Sequence, residues 1–221
     1  MGLQDLEFVV ATHLHYFPES FFARLGPRFM TRYYRTFLDG PLAAAAVAEV
    51  EGEICGYLVG VLDGPQHRRL LLRHHGFGLA MAGVLGMCRR PWLAWVFVST
   101  RLRRYANAFR RSRQSGPHLP RRTGRAAVLS HVAVSEDCRL RGVGTLLISD
   151  LLHQAESAGC ARVCLLTRAG NGGAGSYYEG HHWERVEESD SSPAGPFAQY
   201  QRELSQTTKL SVSPVNATET L

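Results

Sequence analysis

Apolar residues first recur with helical spacing at Leu3, Leu6, Phe8, Val9, Val10 and Leu14, which predicts a helix over residues 3–15. A second helical stretch covers 19–25 and stops at Gly26. Pro27 then suits the first turn of a third helix, where its missing N–H has no intrahelical partner to lose. That helix runs to about residue 38 and repeats Phe29, Tyr33, Tyr34 and Phe37 at helical spacing. Core packing is the first reading of these aromatics, with Tyr33 and Tyr34 also within the range of acceptor contacts. Residues 42–50 are rich in Ala and Val, Glu51-Gly52 marks a hairpin turn, and 54–62 carry β-branched and aromatic side chains, so two paired strands are predicted. A third strand is read over 126–134. A helix follows over 144–158, with Leu146, Leu147, Ile148, Leu151 and Leu152 inward and Gly159 as its stop.

Residues 162–167 are almost continuously apolar, which predicts a strand buried on both faces. A short helix over 174–179 and an antiparallel pair over 183–188 and 197–204 complete the pattern. The polar tail, 205–221, has no period and is expected to be disordered. Helices, a hairpin, an insertion, then strand–helix–strand–helix and a last strand pair imply an α/β fold with a mixed sheet and helices on both faces. With 221 residues and 45% hydrophobic content, one domain over 1–204 is the expectation.

Composition narrows the setting. The apolar stretch 76–98 is broken by Arg89-Arg90-Pro91, short of the ~20 residues a membrane crossing needs. The first residues lack a signal-peptide layout, and Leu6 stands where a myristoylation signal requires Ser or Thr. The five cysteines (Cys55, Cys88, Cys138, Cys160, Cys164) form no Cys-x-x-Cys pair, so a reduced, cytoplasmic chain without a cysteine metal site is expected. His67, His74-His75 and His181-His182 have no carboxylate or Cys partners at ligand spacing, so no metal is expected.

Charge changes the picture more. The formal charge of +6 hides an asymmetry: residues 66–125 hold 14 arginines and no Asp or Glu, leaving 11 basic against 19 acidic residues elsewhere. The first half of this block is apolar with Trp92 and Trp95, and the second is arginine-rich with Pro117 and Pro120. An ordinary helical insertion completing the core, a contact to an anionic acceptor or coenzyme, a homodimer contact, a membrane surface and nucleic acid all remain open for it. Nucleic acid has thin support, because only Tyr105 and Phe109 offer stacking platforms among the charge.

The densest chemical signal follows the 126–134 strand. Val132-Ala133-Val134 leads into Arg139-Leu140-Arg141-Gly142-Val143-Gly144-Thr145, a basic glycine loop opening a helix. Glycines let a backbone approach a phosphate, and a helix start offers free N–H groups at the positive end of its dipole. The spacing is not that of a dinucleotide loop, since Leu147 stands at the third glycine, and no Gly-Lys-Ser/Thr is present. It matches Gln/Arg-x-x-Gly-x-Gly/Ala, and in this motif, over residues 3–204, the chain resembles the GNAT N-acetyltransferase superfamily.

The resemblance implies a central mixed, mostly antiparallel sheet flanked by helices. It makes residues 66–125 a long helical, arginine-rich insertion between the third and fourth strands. The superfamily opens with a strand that here would be a stub at Met1-Gly2-Leu3 or lie upstream. Acetyl-CoA is the implied co-substrate. Its pyrophosphate would lie on the N–H groups of Arg141, Gly142, Val143, Gly144 and Thr145, with Leu140 in the loop and Arg139 at its mouth. Its pantetheine would run along Val132, Ala133 and Val134, and Asn171 matches a pantetheine contact. Tyr178, in Ser176-Tyr177-Tyr178-Glu179, matches the acid that protonates the leaving thiolate, with Tyr177 its competitor. A phenol with pKa near ~10 stays protonated above a thiol near ~8.5. Where the pattern continues with Gly-Phe this chain has His182-Trp183, so Gly180 is expected to form the helix exit.

A general base is read from the residues themselves: His131 first, beside the thioester strand but on the face opposite Val132, then Glu53 and His182. A structural role for His131 stays open. The expected activity is direct acetyl transfer, with no cysteine intermediate, to a primary amine of a small and, given the arginine block, negatively charged acceptor. Amino sugars, nucleotide sugars and other metabolites fit that description. The acceptor site is expected among the N-terminal helices, the insertion and residues 190–196. A protein or peptide N-acetyltransferase and a non-catalytic coenzyme-binding adaptor are the alternatives, because fold alone does not choose among them.

Overall fold

The structure is a computed structural model and describes residues 1–89, 92, 95, 124–170, 174–189 and 196–205. Among these residues, β1 (Ala43–Val50), β2 (Glu53–Val61), β3 (Ala126–Val134), β4 (Arg162–Arg168), β5 (Glu184–Ser189) and β6 (Phe197–Glu203) form one sheet, ordered β1-β2-β3-β4-β6-β5. Only β3 and β4 run parallel; the other pairs are antiparallel. The β1–β2 turn falls at Glu51 and Gly52, both left-handed (φ 55° and 87°), as a tight hairpin whose twist matches its strands requires.

Before the sheet come α1 (Leu6–Tyr16), α2 (Phe21–Arg24) and α3 (Pro27–Arg35). Ser20 caps α2 by accepting from the Ala23 N–H at 3.2 Å, and Pro27 opens α3. After β2, α4 (Gly64–Leu70) continues through a π-helical turn, Leu71–His75, into α5 (Gly76–Arg89). A parallel strand pair needs a crossover, and α6 (Val143–Ser157) supplies it between β3 and β4. The short α7 (Gly175–Gly180) precedes β5.

The sheet separates two cores. Leu6, Val9, Val10, Phe29, Met30 and Tyr34 pack against Tyr57, Val59 and Val61 on one face, joined by Ala82 of α5. Leu147, Ile148, Leu151 and Leu152 of α6 cover Leu58, Leu129, Val163 and Leu165 on the other. Strand β2 therefore lies between two helical layers, which explains its nearly unbroken burial. At Gly60 a Cβ would stand 2.9 Å from Leu151 Cδ1, so the missing side chain lets α6 lie directly on the sheet.

Four expectations change. Met1–Leu3 forms no strand, so the insertion falls between the second and third strands of the observed sheet rather than the third and fourth. Strand β4 is not buried on both faces throughout: Val163 and Leu165 are buried, but Leu166 is 69% exposed, because β4 leaves β3 at that point. Cys55 of β2 and Cys138 are joined in a disulfide, which replaces the expectation of a wholly reduced chain. Their separation of 83 residues hid the contact; the loop after β3 folds back to β2, where the Ser135 N–H donates to Cys55 O at 2.7 Å. The fourth change, at the exit of α7, concerns the site. Residues 206–221 of the tail expected to be disordered (205–221) and insertion residues 90, 91, 93, 94 and 96–123 lie outside the described residues. Among the described residues no helix is long and apolar enough to cross a membrane, and no three His, Cys, Asp or Glu gather to hold a metal.

Candidate active site

The site begins where the parallel pair parts. Strands β3 and β4 are in register only from Ala126↔Arg162 to Leu129↔Leu165. In the β2–β3 ladder Val59 faces His131 and Gly60 faces Leu129, so Ser130 is an extra residue on β3. Such a bulge bends its strand and increases local twist. Beyond it, residues 131–134 keep their pairing with β2 but have no partner on β4. The wedge between the strands is a cavity of about 710 Å³. Ser130, His131, Val132, Ala133 and Val134 line it from β3, and Leu166, Thr167 and Arg168 from β4. His13, Tyr16 and Phe17 of the first helix and its exit, Ser20, and Tyr178 of α7 close it.

At one end of the wedge lies the glycine loop. A 3-10 turn over Glu136–Cys138 leads to Arg139, then Leu140 (φ 61°) and Gly142 (φ 79°) adopt left-handed backbone. Gly142 is the N-cap of α6 and supplies no side-chain cap. The first N–H used within the helix is that of Leu146, donated to Gly142 O at 2.9 Å, so those of Val143, Gly144 and Thr145 are left unused by the helix. Gly142 meets its backbone demand: L side chains disfavour φ 79°. Gly144 is different. A Cβ there would touch only Val134 Cγ2, at an ordinary 3.7 Å, so the protein itself has room for a side chain. Bare backbone at such a position suits close approach by a ligand, and the loop fits a phosphate group on this ground.

Arg139 stands at the mouth, as expected. Its guanidinium lies 5.0 Å from the Tyr16 ring centroid, its Nε donates to Val134 O at 3.4 Å, and Nη1 lies 3.6 Å from Glu136. Leu140 and Arg141 are exposed on the loop, and Thr145 Oγ1 is 3.0 Å from the Tyr177 hydroxyl.

That last contact separates the two tyrosines. Tyr177 turns away to Thr145 and stacks on His181 at 4.1 Å, whereas Tyr178 lines the cavity. Burial pushes the Tyr178 phenol up to about 12, with Tyr177 adding to the shift. Trp183 and Tyr200 hold its ring edge-on and tilted, at 5.5 and 5.7 Å. Gly180 is the last residue of α7, but it does not supply the left-handed turn of the exit: His182 takes that position (φ 63°), and the Trp183 N–H closes the turn on Tyr178 O at 3.1 Å. A histidine thus adopts the backbone that glycine favours, and Trp183 fills the core beneath Tyr178.

His131 projects from β3 toward α1 and α3, opposite Val132, which packs toward α6. Its ring is 4.8 Å from His13, edge to face, and its Nε2 is 3.4 Å from the Tyr33 hydroxyl. Desolvation, then the neighbouring His13, hold His131 down to about 3. His13 is likewise held to about 4 by burial. Both are neutral at physiological pH.

Sequence reasoning passed over His13. It sits one turn beyond Leu6, Val9 and Val10 on the apolar stripe of α1, and a polar residue in that stripe was the available signal. In the structure its Nδ1 is 2.7 Å from the Tyr34 hydroxyl, which is 2.9 Å from that of Tyr57, and its Nε2 is 3.2 Å from Ser20 Oγ. Burial raises the Tyr33 phenol to about 12 and moves those of Tyr34 and Tyr57 upward too. On the side of α1 and α3 the cavity is therefore lined by neutral His13 and His131, with Tyr33, Tyr34 and Tyr57 behind them. At the rim Arg168 donates to Glu19 across the opening. Nothing in the local sequence could show that pair, 149 residues apart. Glu53 and His182 lie away from the cavity. Asn171 and residues 190–195 lie outside the described residues.

A strand pair that parts beside an uncapped helix start leaves an open cavity next to backbone N–H groups that the helix does not use. The profile of the Acetyltransferase (GNAT) family matches residues 10–183, and the chain belongs to that family. No curated protein sequence matches it. Among solved structures it is similar to an acetyltransferase from Thermus thermophilus (15% identity, 92% of this chain and 94% of the other, TM-score 0.51). Ard1 from Thermoplasma volcanium aligns at 15% identity over 93% and 95% of the two chains, with TM-score 0.54. Naa20 from Chaetomium thermophilum, solved with a bisubstrate analogue, aligns at 19% over 96% and 88%, also with TM-score 0.54. At such identities the likeness is one of fold.

Proposed function

We propose that this chain, as one domain over 1–204, is an acetyl-CoA-dependent N-acetyltransferase that moves the acetyl group directly to a primary amine of a small acceptor. The observation that carries the reading is the meeting, in one cavity, of the strand edge Val132–Val134, Arg139, His131 and the Tyr178 phenol. The N–H groups of Arg141 to Thr145 would hold the pyrophosphate of acetyl-CoA beside Arg139. The free edge at Val132, Ala133 and Val134 would take the pantetheine arm, and the N–H of Val132 or Val134 would polarise the thioester carbonyl. No cysteine lines the described cavity, which suits transfer without a covalent enzyme intermediate.

In this scheme the amine nitrogen bonds to the acetyl carbon, the carbon–sulfur bond breaks, and the sulfur departs with the electron pair. His131, neutral and aimed into the cavity, accepts a hydrogen bond from the uncharged amine. An imidazole at about 3 is a weak base. The proton it receives is one that becomes strongly acidic once nitrogen has bonded to carbon. The Tyr178 O–H donates to the departing sulfur. A phenol near 12 is a weaker acid than a thiol near ~8.5, so the hydrogen bond precedes transfer, and solvent restores the proton. The acid-free arginine block favours an acceptor carrying negative charge.

Steady-state kinetics on an amine panel test this reading. Tyr178→Phe should lower kcat by about 100-fold with KM for acetyl-CoA within about threefold, and Tyr177→Phe should stay within about threefold in both. The reverse ranking would remove Tyr178 from the chemistry, and the absence of thiol release with any amine would remove the activity.

A further inference from the structure

Helix α5 is built inside out. From Gly76 to Cys88 its sequence has no charged or polar side chain. Such a helix is ordinarily enclosed on all sides. Here the face turned to the protein is made largely of its small residues: Ala82 is buried, Gly83 lies against Phe29, and a Cβ on Gly86 would strike Leu25 O at 2.7 Å. The Arg32 guanidinium fixes the start by donating to Gly78 O at 3.0 Å. Leu79 and Met87 also pack inward, but the other bulky residues point away. Phe77 is 83% exposed, Leu85 54% and Trp95 73%, with Met81, Val84 and Trp92 also exposed. Their spacing of three and four places them on one stripe.

The chain on either side of that stripe carries one sign, although Asp39 reaches His75 just before α5. In the sequence Arg68, Arg69 and Arg73 come just before α5, Arg89 ends it, Arg90 comes next, and no Asp or Glu occurs anywhere in 66–125. A long apolar stripe bordered by arginines, with aromatic residues at its far end, has the chemistry of a helix lying in the headgroup zone of a bilayer. At 14 residues the helix suits lying along a surface rather than crossing it. We propose that the outer face of α5 docks this protein on an anionic lipid surface, with Phe77, Met81, Val84, Leu85, Trp92 and Trp95 entering the interface. The face is separate from the cavity described above, so the inference stands or falls apart from the acetyl-transfer reading.

Full-length protein is to be mixed with vesicles of phosphatidylcholine alone or blended with phosphatidylglycerol, and pelleted. Binding to the blended vesicles, falling at least about tenfold on moving from ~0.1 to ~0.5 M salt and at least about tenfold in the double variant Phe77→Ser/Leu85→Ser, is the expected result. A circular dichroism spectrum and thermal midpoint equal to those of the wild type show that the variant is folded, since both positions are on the surface. Vesicle binding equal in variant and wild type would overturn the proposal, because charge alone would then suffice. So would absence of wild-type binding at low salt, or a concentration-dependent dimer that the variant dissolves without any vesicle binding, which would assign the face to a second copy. RNA binding in place of vesicle binding would overturn it as well.

Discussion

The two sides of the cavity use different materials. The donor side is backbone: the unpaired edge of β3, the left-handed residues Leu140 and Gly142, and the free N–H groups opening α6. The opposite side, where the proposed acceptor would enter, is side chain: His13 and His131, backed by Tyr33, Tyr34 and Tyr57 from α3 and β2. In the proposed reading, backbone donors would serve a co-substrate whose phosphates are the same in every reaction, while side chains would set what else can enter. The donor side carries fixed partial positive charge, whereas the acceptor wall is neutral and desolvated. An uncharged amine would suit such a wall better than an ammonium ion, because Glu19, the carboxylate among the described lining residues, is already paired with Arg168.

The contrast breaks first at Gly142. Gly142→Glu forces a side chain into left-handed backbone at the helix N-cap and brings negative charge to the phosphate position. Loss of two or more charge-assisted hydrogen bonds should weaken acetyl-CoA binding by roughly 10³-fold in calorimetry. Unchanged affinity would place the coenzyme elsewhere.

This difference in material also decides what could be read in advance. The loop was legible because its ingredients are consecutive: strand, arginines, two glycines and a Leu-rich helix between residues 126 and 158. Likewise Glu51-Gly52 and Pro27 act through local backbone rules, and the hairpin and α3 fell where expected. Tyr178 was legible through its neighbours, although the glycine expected after it is His182, and tertiary packing of Trp183 fixes the exit instead. His13, the Cys55–Cys138 pair and the Glu19–Arg168 bridge were not legible. Each joins positions that only sheet order brings together. The exposure of Leu166 was hidden for a related reason, because an apolar strand does not announce where its neighbour leaves it.

The next largest effect concerns acid stability. His13 is held to about 4 in the folded protein, below its ordinary 6.5 when unfolded. Between those values the unfolded chain binds the extra proton, so stability rises with pH. This contribution is complete above about pH 6.5 and is lost as pH falls from there to about 4, where the loss levels off at roughly 3 kcal/mol. His131, facing it at 4.8 Å, titrates with it and extends the loss toward pH 3. Urea unfolding at pH 7 and pH 4.5 should show the fall, and His13→Gln should flatten it. Parallel slopes in the two proteins would show that the histidines take no part.

The same depression sharpens the chemistry. With His131 at about 3 and Tyr178 at about 12, neither group changes charge between pH 5 and pH 9. Once corrected for the fraction of uncharged amine, kcat/KM should therefore be flat across that range. His131→Gln should lower it about 30-fold, the cost of one buried hydrogen bond to the amine, without altering the shape. An inflection near 6.5 that disappears in His131→Gln would mean that the imidazole works as an ordinary solvated base.

The smallest effect tests whether the donor loop is formed before its ligand arrives. Leu140 is fully exposed at φ 61°, so its side chain contributes no burial while its backbone bears a left-handed penalty of about 1–2 kcal/mol. Leu140→Gly removes that penalty but gives the unfolded chain more freedom, at a cost of about 0.5–1 kcal/mol. The two nearly offset each other, with strain relief the larger, so the variant should gain up to about 1 kcal/mol in urea unfolding. Acetyl-CoA affinity should remain within about threefold, because the N–H groups presented by Gly142 and the first turn of α6 are positioned by the helix rather than by Leu140. A loss of tenfold or more in affinity with unchanged stability would show instead that the leucine holds the loop in its binding shape.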